Sequence, residues 1–379
     1  MRLLNADTLQ LREFYDRDAL AYAILSHTWE DEEVTLRDLT DPASASKQGF
    51  SKIRACCAQA IRDGYKWVWV DTCCIDKTSS AELSEAINSM FRWYKQSSVC
   101  YAYLGDLPRQ RPGDLYADRF TNSKWFTRGW TLQELIAPRL VEFYDQEWNE
   151  IGTKLSVGDL IHQTTGIRRV VLSGLFPLAL ASVAERMSWA STRKTSRLED
   201  MAYCLLGIFD IHMPLLYGEG SRAFNRLQQE ILRTTEDLSI LLWASVSTSP
   251  APGVFAPTPA GFRNVTILDV DHNKVGTLDR DWEGIRPLDE ANWYQASPFG
   301  ETVHASASYV NSEPPAITSR GLRAYMIGYV CDPQSIPRNT GFYACAWYYC
   351  TSQYSMYQYA KGQHAAELSM ERSMCRGLS

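Results

Sequence analysis

Short apolar runs alternate with amphipathic segments over the first 145 residues, and this alternation constrains the fold more than any other feature. The apolar runs, which have the length of β-strands, are residues 21–26, 67–71, 99–104 and 140–144. The amphipathic segments, which place apolar residues at helical spacing, are residues 51–63, 80–96 and 130–135. Strands and helices in this alternating order predict a parallel α/β sheet with right-handed crossovers.

Polar and aromatic residues follow the first two predicted strands directly. Ser26, His27 and Trp29 end the first strand, and Asp71 ends the second. Both strands are apolar on both faces, which predicts a central position in the sheet. Ligands of such sheets bind at the carboxyl ends of the strands, so these four residues form a predicted binding site. Ser26 and His27 are adjacent and should point to opposite sides of the strand, which argues against a Ser/His hydrolase dyad.

The third amphipathic segment contains a glutamate close to an indole. Trp130 and Glu134 are four residues apart, so on a helix they share one face. An indole that removes water from a carboxylate raises its pKa, and we expect Glu134 to lie partly buried in the main N-terminal cleft. Arg128, one turn earlier, could bind an anionic ligand group or pair with Glu134. The alternative is a half-buried amphipathic helix with an ion pair.

Beyond residue 150 the pattern first becomes helical and then β-rich. One apolar face is formed by Leu198, Met201, Ala202, Leu205, Leu206 and Phe209, and another by Phe224, Leu227 and Ile231. A stretch rich in Ser, Thr, Pro and Gly indicates a linker. The predicted domains are an α/β domain at 1–150, a helical extension packed on it at 151–244, the linker at 245–259 and a β-rich region at 260–379.

Composition excludes several classes of function. The net charge is −6 and no Lys/Arg run occurs, which argues against a general nucleic-acid binder. The N-terminus lacks the apolar core of a signal peptide, and no window reaches the ~20 apolar residues of a membrane span. Ten cysteines occur without a Cys-x-x-Cys pair, so we expect no metal site and reduced, buried thiols in a cytoplasmic protein.

Several longer motifs resemble the fungal heterokaryon-incompatibility (HET) domain in order and spacing. They read YAILSHTW at 22–29, WVWVDTCCIDK at 67–77, SSAELSEAINSMFRWY at 79–94, CYAYLGD at 100–106 and WFTRGWTLQELIAP at 125–138. Residues 199–228 resemble the segment that follows this domain in the HET-E/HET-D group. The resemblance covers roughly residues 20–243, and it implies a role in heterokaryon incompatibility and programmed cell death.

HET domains are similar to TIR domains, which are flavodoxin-like parallel sheets with helices on both faces. Many TIR domains hydrolyse NAD at the nicotinamide–ribose bond through a glutamate in a Trp-Cys-x-x-Glu-Leu stretch. Residues 130–135, WTLQEL, correspond to that stretch, although Thr131 replaces the cysteine. The resemblance implies that Glu134 is catalytic, that NAD is a substrate and not a cofactor, and that the site is completed by self-association. The expected NAD-binding residues are Ser26, His27, Trp29, Asp71, Arg128 and Trp130.

Three alternatives stay open at this point. Glu85, on the polar side of the 80–96 helix, is the second-choice catalyst, although solvated glutamates at a helix start are common. The chain could instead be a non-catalytic signalling module that recruits partners through the same surface. It could also be another enzyme on a reused HET scaffold. An activating partner protein is compatible with each of these.

Overall fold

The structure is a computed structural model, and it describes residues 1–15, 20–109, 116–235, 237–243 and 254–263, together with short strands beyond residue 290. Its contacts divide the chain into two compact units. The first unit, which holds every predicted site residue, comprises Met1–Ser182, Arg186–Leu227 and Pro257–Arg263. The second unit comprises Val183–Glu185, Gln228–Ala256 and Asn264–Ser379.

One mixed sheet of seven strands forms the centre of the first unit. Its strands are β1 (Arg2–Asn5), β2 (Leu11–Glu13), β3 (Ala23–His27), β4 (Trp67–Trp69), β5 (Val99–Tyr103), β6 (Val141–Tyr144) and β7 (Glu150–Thr153). Their order is β2-β1-β4-β3-β5-β6-β7, in which β4, β3, β5 and β6 pair in parallel. The predicted parallel α/β sheet is confirmed, and its first predicted strand lies in the middle.

The edges of the sheet differ from the prediction. β1 and β2 form an antiparallel hairpin that joins β4, and β7 pairs antiparallel with β6. These strands are only three or four residues long, so their sequences carry little periodicity. β4 also ends two residues early, because Asp71 begins a short helix.

The described residues form eleven α-helices and several 3₁₀ turns. The helices are α1 (Gly49–Arg62), α2 (Asp71–Cys74), α3 (Ser80–Gln96), α4 (Tyr116–Thr121), α5 (Thr131–Ile136), α6 (Gly158–Thr165), α7 (Arg169–Leu172), α8 (Val183–Ser188), α9 (Asp200–Tyr203), α10 (Leu206–Phe209) and α11 (Arg222–Thr234). The 3₁₀ turns are Asp38–Thr40, Pro42–Ser46, Lys124–Thr127, Leu178–Leu180, Leu238–Leu241 and Pro259–Phe262. None of the described helices has the length and apolar character that crossing a bilayer requires.

Helix α3 shows why the clearest sequence pattern gives the longest helix. The Ser79 hydroxyl accepts a hydrogen bond from the Glu82 N–H at 3.3 Å, which caps the first turn. The apolar face that follows is largely buried, including Ala86, Ile87 and Met90. Among the cysteines whose side chains are described, six are buried free thiols, namely Cys56, Cys57, Cys73, Cys74, Cys100 and Cys204.

The helical segment after residue 183 is broken into short pieces, and its predicted apolar face is correct except at one end. Leu205 is 0% exposed, whereas Leu198 is 65% exposed because it precedes α9. Gly207 lets α10 approach α3 closely, since a Cβ built there would lie 2.0 Å from the Cβ of Phe91. Phe224, which was predicted on the second face, is also buried.

Strands are described in the C-terminal region that was predicted to be β-rich. They are β8 (Ala291–Ala296), β9 (Thr302–Ala307), β10 (Ala316–Thr318), β11 (Gly321–Arg323), β12 (Tyr329–Cys331), β13 (Tyr343–Tyr349) and β14 (Tyr354–Tyr359). Most of the predicted linker lies outside the described residues. Within the second unit, the Gln228 amide exchanges two hydrogen bonds with the Ala256 backbone. The domain boundaries stay predictions.

Candidate functional site

Two adjacent side chains at the carboxyl end of β3 point in opposite directions. Ser26 and His27 are both buried, and the pleat of the strand places their side chains on opposite faces. Ser26 contacts Glu134 on α5, whereas His27 contacts Asp71 at the start of α2. The predicted strand-end residues therefore form two clusters, one on each side of the same strand.

The first cluster surrounds the Glu134 carboxyl. The Ser26 hydroxyl donates a hydrogen bond to Oε2 of Glu134, and the Trp125 indole donates to Oγ of Ser26 at 2.8 Å. Trp125 is itself fixed by edge-to-face packing on Phe126 and Phe143. Glu134 is 7% exposed, so this carboxyl is buried and held by a hydroxyl that an indole orients.

Burial dominates the electrostatics of Glu134. Desolvation, with the negative charge of Asp71 added to it, raises the pKa of Glu134 to about 8. The Ser26 hydrogen bond, the Arg193 guanidinium and the Tyr94 hydroxyl act in the opposite direction, but they do not outweigh burial. At neutral pH this carboxyl therefore holds a proton in the free protein, and a small change in its surroundings changes its charge. The sequence-based prediction attributes a raised pKa of Glu134 to Trp130, whereas burial is its largest cause in the structure.

The second cluster surrounds the Asp71 carboxylate, which is one-fifth exposed. Its Oδ1 lies 3.3 Å from His27 Nε2, and its Oδ2 accepts a hydrogen bond from the Trp29 indole at 2.9 Å. The Lys77 ammonium lies 3.4 Å from the same Oδ2 and 3.5 Å from the Trp29 ring centroid. Burial acts to raise the pKa of Asp71, but Lys77, His27 and Trp29 together hold it below its usual range.

Trp29 is the exposed surface of this second cluster. Its side chain is 51% exposed, although its polar N–H is already bonded to Asp71. Such an indole offers a fixed aromatic surface to a ligand ring. His27 Nδ1 is buried and has no hydrogen-bond partner among the described residues. The cluster thus combines a charged carboxylate, a lysine and an aromatic surface on the side of β3 opposite to the Glu134 carboxyl.

Two predicted site residues lie elsewhere. The Arg128 guanidinium lies 3.4 Å from the Ser196 hydroxyl, and the Trp130 side chain bonds to the Asp200 carboxyl. Helix α5 begins at Thr131, one residue after the predicted start, and the side chains of Arg128 and Trp130 before it are directed to the 194–200 segment. The indole that bonds into the Glu134 cluster is Trp125, not Trp130.

Glu85 has the surroundings of an ordinary helix-surface residue. It is exposed on α3, while its neighbour Glu82 accepts a 2.7 Å hydrogen bond from Arg2. Glu82 also accepts the backbone N–H of Asp76, which makes it a structural ion-pair residue. Of the two candidate glutamates, Glu134 is buried and Glu85 is exposed.

Three residues near the site were not predicted from the sequence. Tyr94 is buried on α3, and its hydroxyl donates to the Leu25 carbonyl at 3.0 Å. Lys77 ends the 67–77 motif but was not chosen as a site residue, and Arg193 belongs to none of the quoted motifs. Only the folded chain shows that Lys77 contacts Asp71 and that Arg193 interacts with Glu134. In the described part of the chain, no group of three or more His, Cys, Asp or Glu side chains is arranged to hold a metal ion.

Comparison with known proteins identifies relatives of the N-terminal half. The family model "Heterokaryon incompatibility protein (HET)" matches residues 22–114, and "Domain of unknown function (DUF8212)" matches residues 222–272. The chain is 54% identical over 217 residues to "Vegetative incompatibility protein HET-E-1" of Podospora anserina. That match covers 55% of this chain and only 16% of the relative's length. No solved structure matches the chain.

Proposed function

Since residues 22–114 match the HET family model and the chain is 54% identical over 217 residues to a vegetative incompatibility protein, we propose that the protein acts in fungal vegetative incompatibility. We further propose that it does so by hydrolysing NAD at the nicotinamide–ribose bond when it self-associates. The observation that carries this proposal is the buried Glu134 carboxyl, bonded to Ser26 at the carboxyl end of the parallel strands. The resemblance of residues 130–135 to the glutamate-containing stretch of TIR domains supports the same proposal.

The proposed reaction needs one carboxylate and no general acid. Nicotinamide leaves NAD as a neutral molecule, because the electron pair of the broken bond returns to its cationic ring nitrogen. Water then adds to C1′ of the ribose and releases a proton, so the products are ADP-ribose and nicotinamide. The Glu134 carboxylate would stabilise the positive charge that develops on the ribose. The cationic ring of bound NAD would itself favour the charged form of Glu134.

The two strand-end clusters have different tasks in this proposal. The ring of Trp29 would stack on a base or on nicotinamide, and Lys77 would attract the pyrophosphate. Asp71 would hold both of them, since it contacts Trp29 and Lys77. Ser26 would orient the Glu134 carboxyl. Arg128 and Trp130 would contact NAD only if a second copy of the chain or the 194–200 segment brought the NAD to them.

A second candidate function is a recruiting module without catalysis, and burial is the observation that favours it. Ser26 is 0% exposed and Glu134 only 7%, so a ligand reaches the carboxyl only after local opening. Catalysis would still be possible if self-association opened the site around Glu134. A second copy of the chain could then cover the opened site and exclude water. An activating partner protein could have the same effect.

Nicotinamide release from NAD by the purified chain tests the proposal. Wild type is compared with Glu134→Gln and with Glu85→Gln as a matched control, each with and without fusion to an oligomerising domain. We expect release by clustered wild type and by Glu85→Gln, and none by Glu134→Gln. Equal release by Glu134→Gln would remove Glu134 from catalysis. No release by any clustered protein would favour the recruiting module.

A further inference from the structure

Arg193 is a buried arginine that reaches the first turn of α5 from the segment between α8 and α9. Its Nη1 donates to the Thr131 hydroxyl and to the Arg128 carbonyl, each at 2.8 Å, and its Nε donates to the Trp189 carbonyl at 3.3 Å. Burial lowers the pKa of Arg193 to about 10, so the group remains charged at neutral pH. Burying a charged guanidinium costs free energy, even when it donates to three carbonyl or hydroxyl oxygens. A buried arginine of this kind is therefore expected to have a function.

The backbone beside Arg193 is joined to the start of α5 in both directions. The Lys194 N–H donates to the Thr127 carbonyl at 2.7 Å, and the Gly129 N–H donates to the Lys194 carbonyl at 2.9 Å. A Cβ at Gly129 would lie 2.5 Å from Cγ2 of Thr195, so glycine permits this close approach. The 189–196 segment is therefore docked against the chain that leads into the Glu134 helix.

One nitrogen of Arg193 has no assigned partner although it is buried. Nη2 makes no hydrogen bond to any described residue, while the guanidinium and the Glu134 carboxyl interact electrostatically. Buried donors are nearly always bonded, so an unbonded one whose guanidinium interacts electrostatically with a buried carboxyl indicates a group that can gain a partner. The carboxylate of Glu134 and an anionic ligand group are the partners that this position would favour.

We propose that Arg193 is a positioning residue for Glu134, which fixes the first turn of α5 and supplies the positive charge that faces the buried carboxyl. The segment after the parallel sheet would thereby control the site, because moving it removes that charge. This inference rests on the proposed function only for its catalytic consequence. The interaction of Arg193 with the Glu134 carboxyl is a property of the folded protein alone.

Other groups that face Glu134 set the background for this effect. The ones that carry or can carry charge are Asp71 from α2, Tyr94 from α3, Cys100 from β5 and Cys204 after α9. The pKa values of Tyr94, Cys100 and Cys204 are raised, chiefly by burial, so these groups are neutral near pH 8. Asp71 is negative and acts against ionisation. Arg193 is therefore the positive group that favours the carboxylate among these neighbours.

Infrared titration of the Glu134 carboxyl in the full chain tests the proposal without any substrate. The carboxyl band is assigned by its loss in Glu134→Gln. Arg193→Gln keeps an amide donor and removes the charge, whereas Arg193→Lys keeps the charge. Lys194→Met removes the adjacent exposed cation as a matched control. We expect the Glu134 midpoint to rise by about one pH unit in Arg193→Gln and to stay near wild type in Arg193→Lys and Lys194→Met.

The outcomes separate this inference from the proposed function. An unchanged midpoint in folded Arg193→Gln would overturn the inference and leave Arg193 a structural residue. Should that variant not fold, Thr131→Val removes one anchor, and an unchanged midpoint there would have the same meaning. A raised midpoint together with about tenfold less nicotinamide release at pH 7 would support both proposals. A raised midpoint without release by clustered wild type would support Arg193 and reject NAD hydrolysis.

Discussion

Glu134 and Asp71 are two carboxyl groups on opposite sides of one strand, and their pKa values shift in opposite directions. The pKa of Glu134 is raised to about 8, whereas that of Asp71 is held below its usual range. Burial acts to raise both values, so burial alone does not explain the difference. The difference lies in the neighbours, since Asp71 has a lysine, a histidine and an indole N–H within 3.4 Å.

This comparison indicates different roles for the two sides. The Asp71 side is a preformed charged surface with an exposed indole, which suits ligand binding without rearrangement. The Glu134 side is a closed, nearly neutral site whose charge depends on the hydroxyl of Ser26 and the more distant Arg193. A group poised in this way can switch between charged and neutral forms near physiological pH.

The two tryptophans that donate to the two clusters should differ most in their contribution to stability. Trp125 is fully buried, and its truncation to Ala removes packing as well as the Ser26 hydrogen bond. We expect Trp125→Ala to lower the free energy of unfolding by about 3–5 kcal/mol. Trp29 is half-exposed, so Trp29→Ala should lower the free energy of unfolding by about 1 kcal/mol or less. Chemical denaturation measures both, and equal losses would contradict the contrast between a closed and an open cluster.

Leu205 tests whether the helical segment supports the Glu134 side. It follows Cys204, which interacts electrostatically with Glu134, and it is fully buried. We expect Leu205→Ala to destabilise the protein by about 2–5 kcal/mol. Leu198→Ala serves as the matched control, because Leu198 is 65% exposed and should change stability by about 0.5 kcal/mol at most. A Leu205→Ala value equal to that control would show that this segment is not part of the core.

The two carboxyls should give opposite pH dependences of stability. Folded Glu134 binds its proton more tightly than the unfolded chain does, so its contribution is complete below pH 4.5 and is lost as the pH rises to about 8. Relative to wild type, Glu134→Gln should therefore gain about 2–4 kcal/mol over that range. Asp71→Asn should be destabilised at neutral pH, and its deficit should shrink as the pH falls below 3.8. If the stability differences of the two variants from wild type changed with pH in a way that required pKa shifts of the same sign, the contrast between the two carboxyls would be wrong.

Lys77 should have the smallest effect, because its ammonium is partly exposed and close to solvent. We expect Lys77→Met to lower stability by about 0.2–1 kcal/mol, and added salt should reduce this loss. Denaturation at low and high salt measures it. A loss that is large and independent of salt would mean that the Asp71 side is as closed as the Glu134 side.

The strongly patterned parts of the chain could be predicted from the sequence. Helix α3 and the central strand β3 carry long, consistent patterns, and their positions followed from periodicity and capping. The edge hairpin Arg2–Glu13 could not be predicted, because three- and four-residue strands have too few positions to show alternation. The sequence places Asp71 at a strand end, because the apolar run continues to Val70. In the structure, the chain already enters α2 at Asp71.

The site was predictable where it depends on strand ends and less so where it depends on tertiary packing. Ser26, His27 and Asp71 follow from the rule that ligands bind at the carboxyl ends of parallel strands. Spacing placed Trp130 beside Glu134, but Asp200 bonds to that indole. Arg193 comes from 59 residues further along the chain, and no local pattern indicates such a contact.

The pH dependence of kcat/KM for nicotinamide release tests the central claim most directly, because it reports ionisation in the free protein. The claim is that Glu134 is the reacting carboxyl and that Asp71 is a fixed charge. Clustered wild type should release nicotinamide with a kcat/KM that rises with pH to a midpoint near 8, whereas Glu134→Gln should release none. A profile that is flat between pH 6 and 9, or Glu134→Gln activity equal to wild type, would contradict the account.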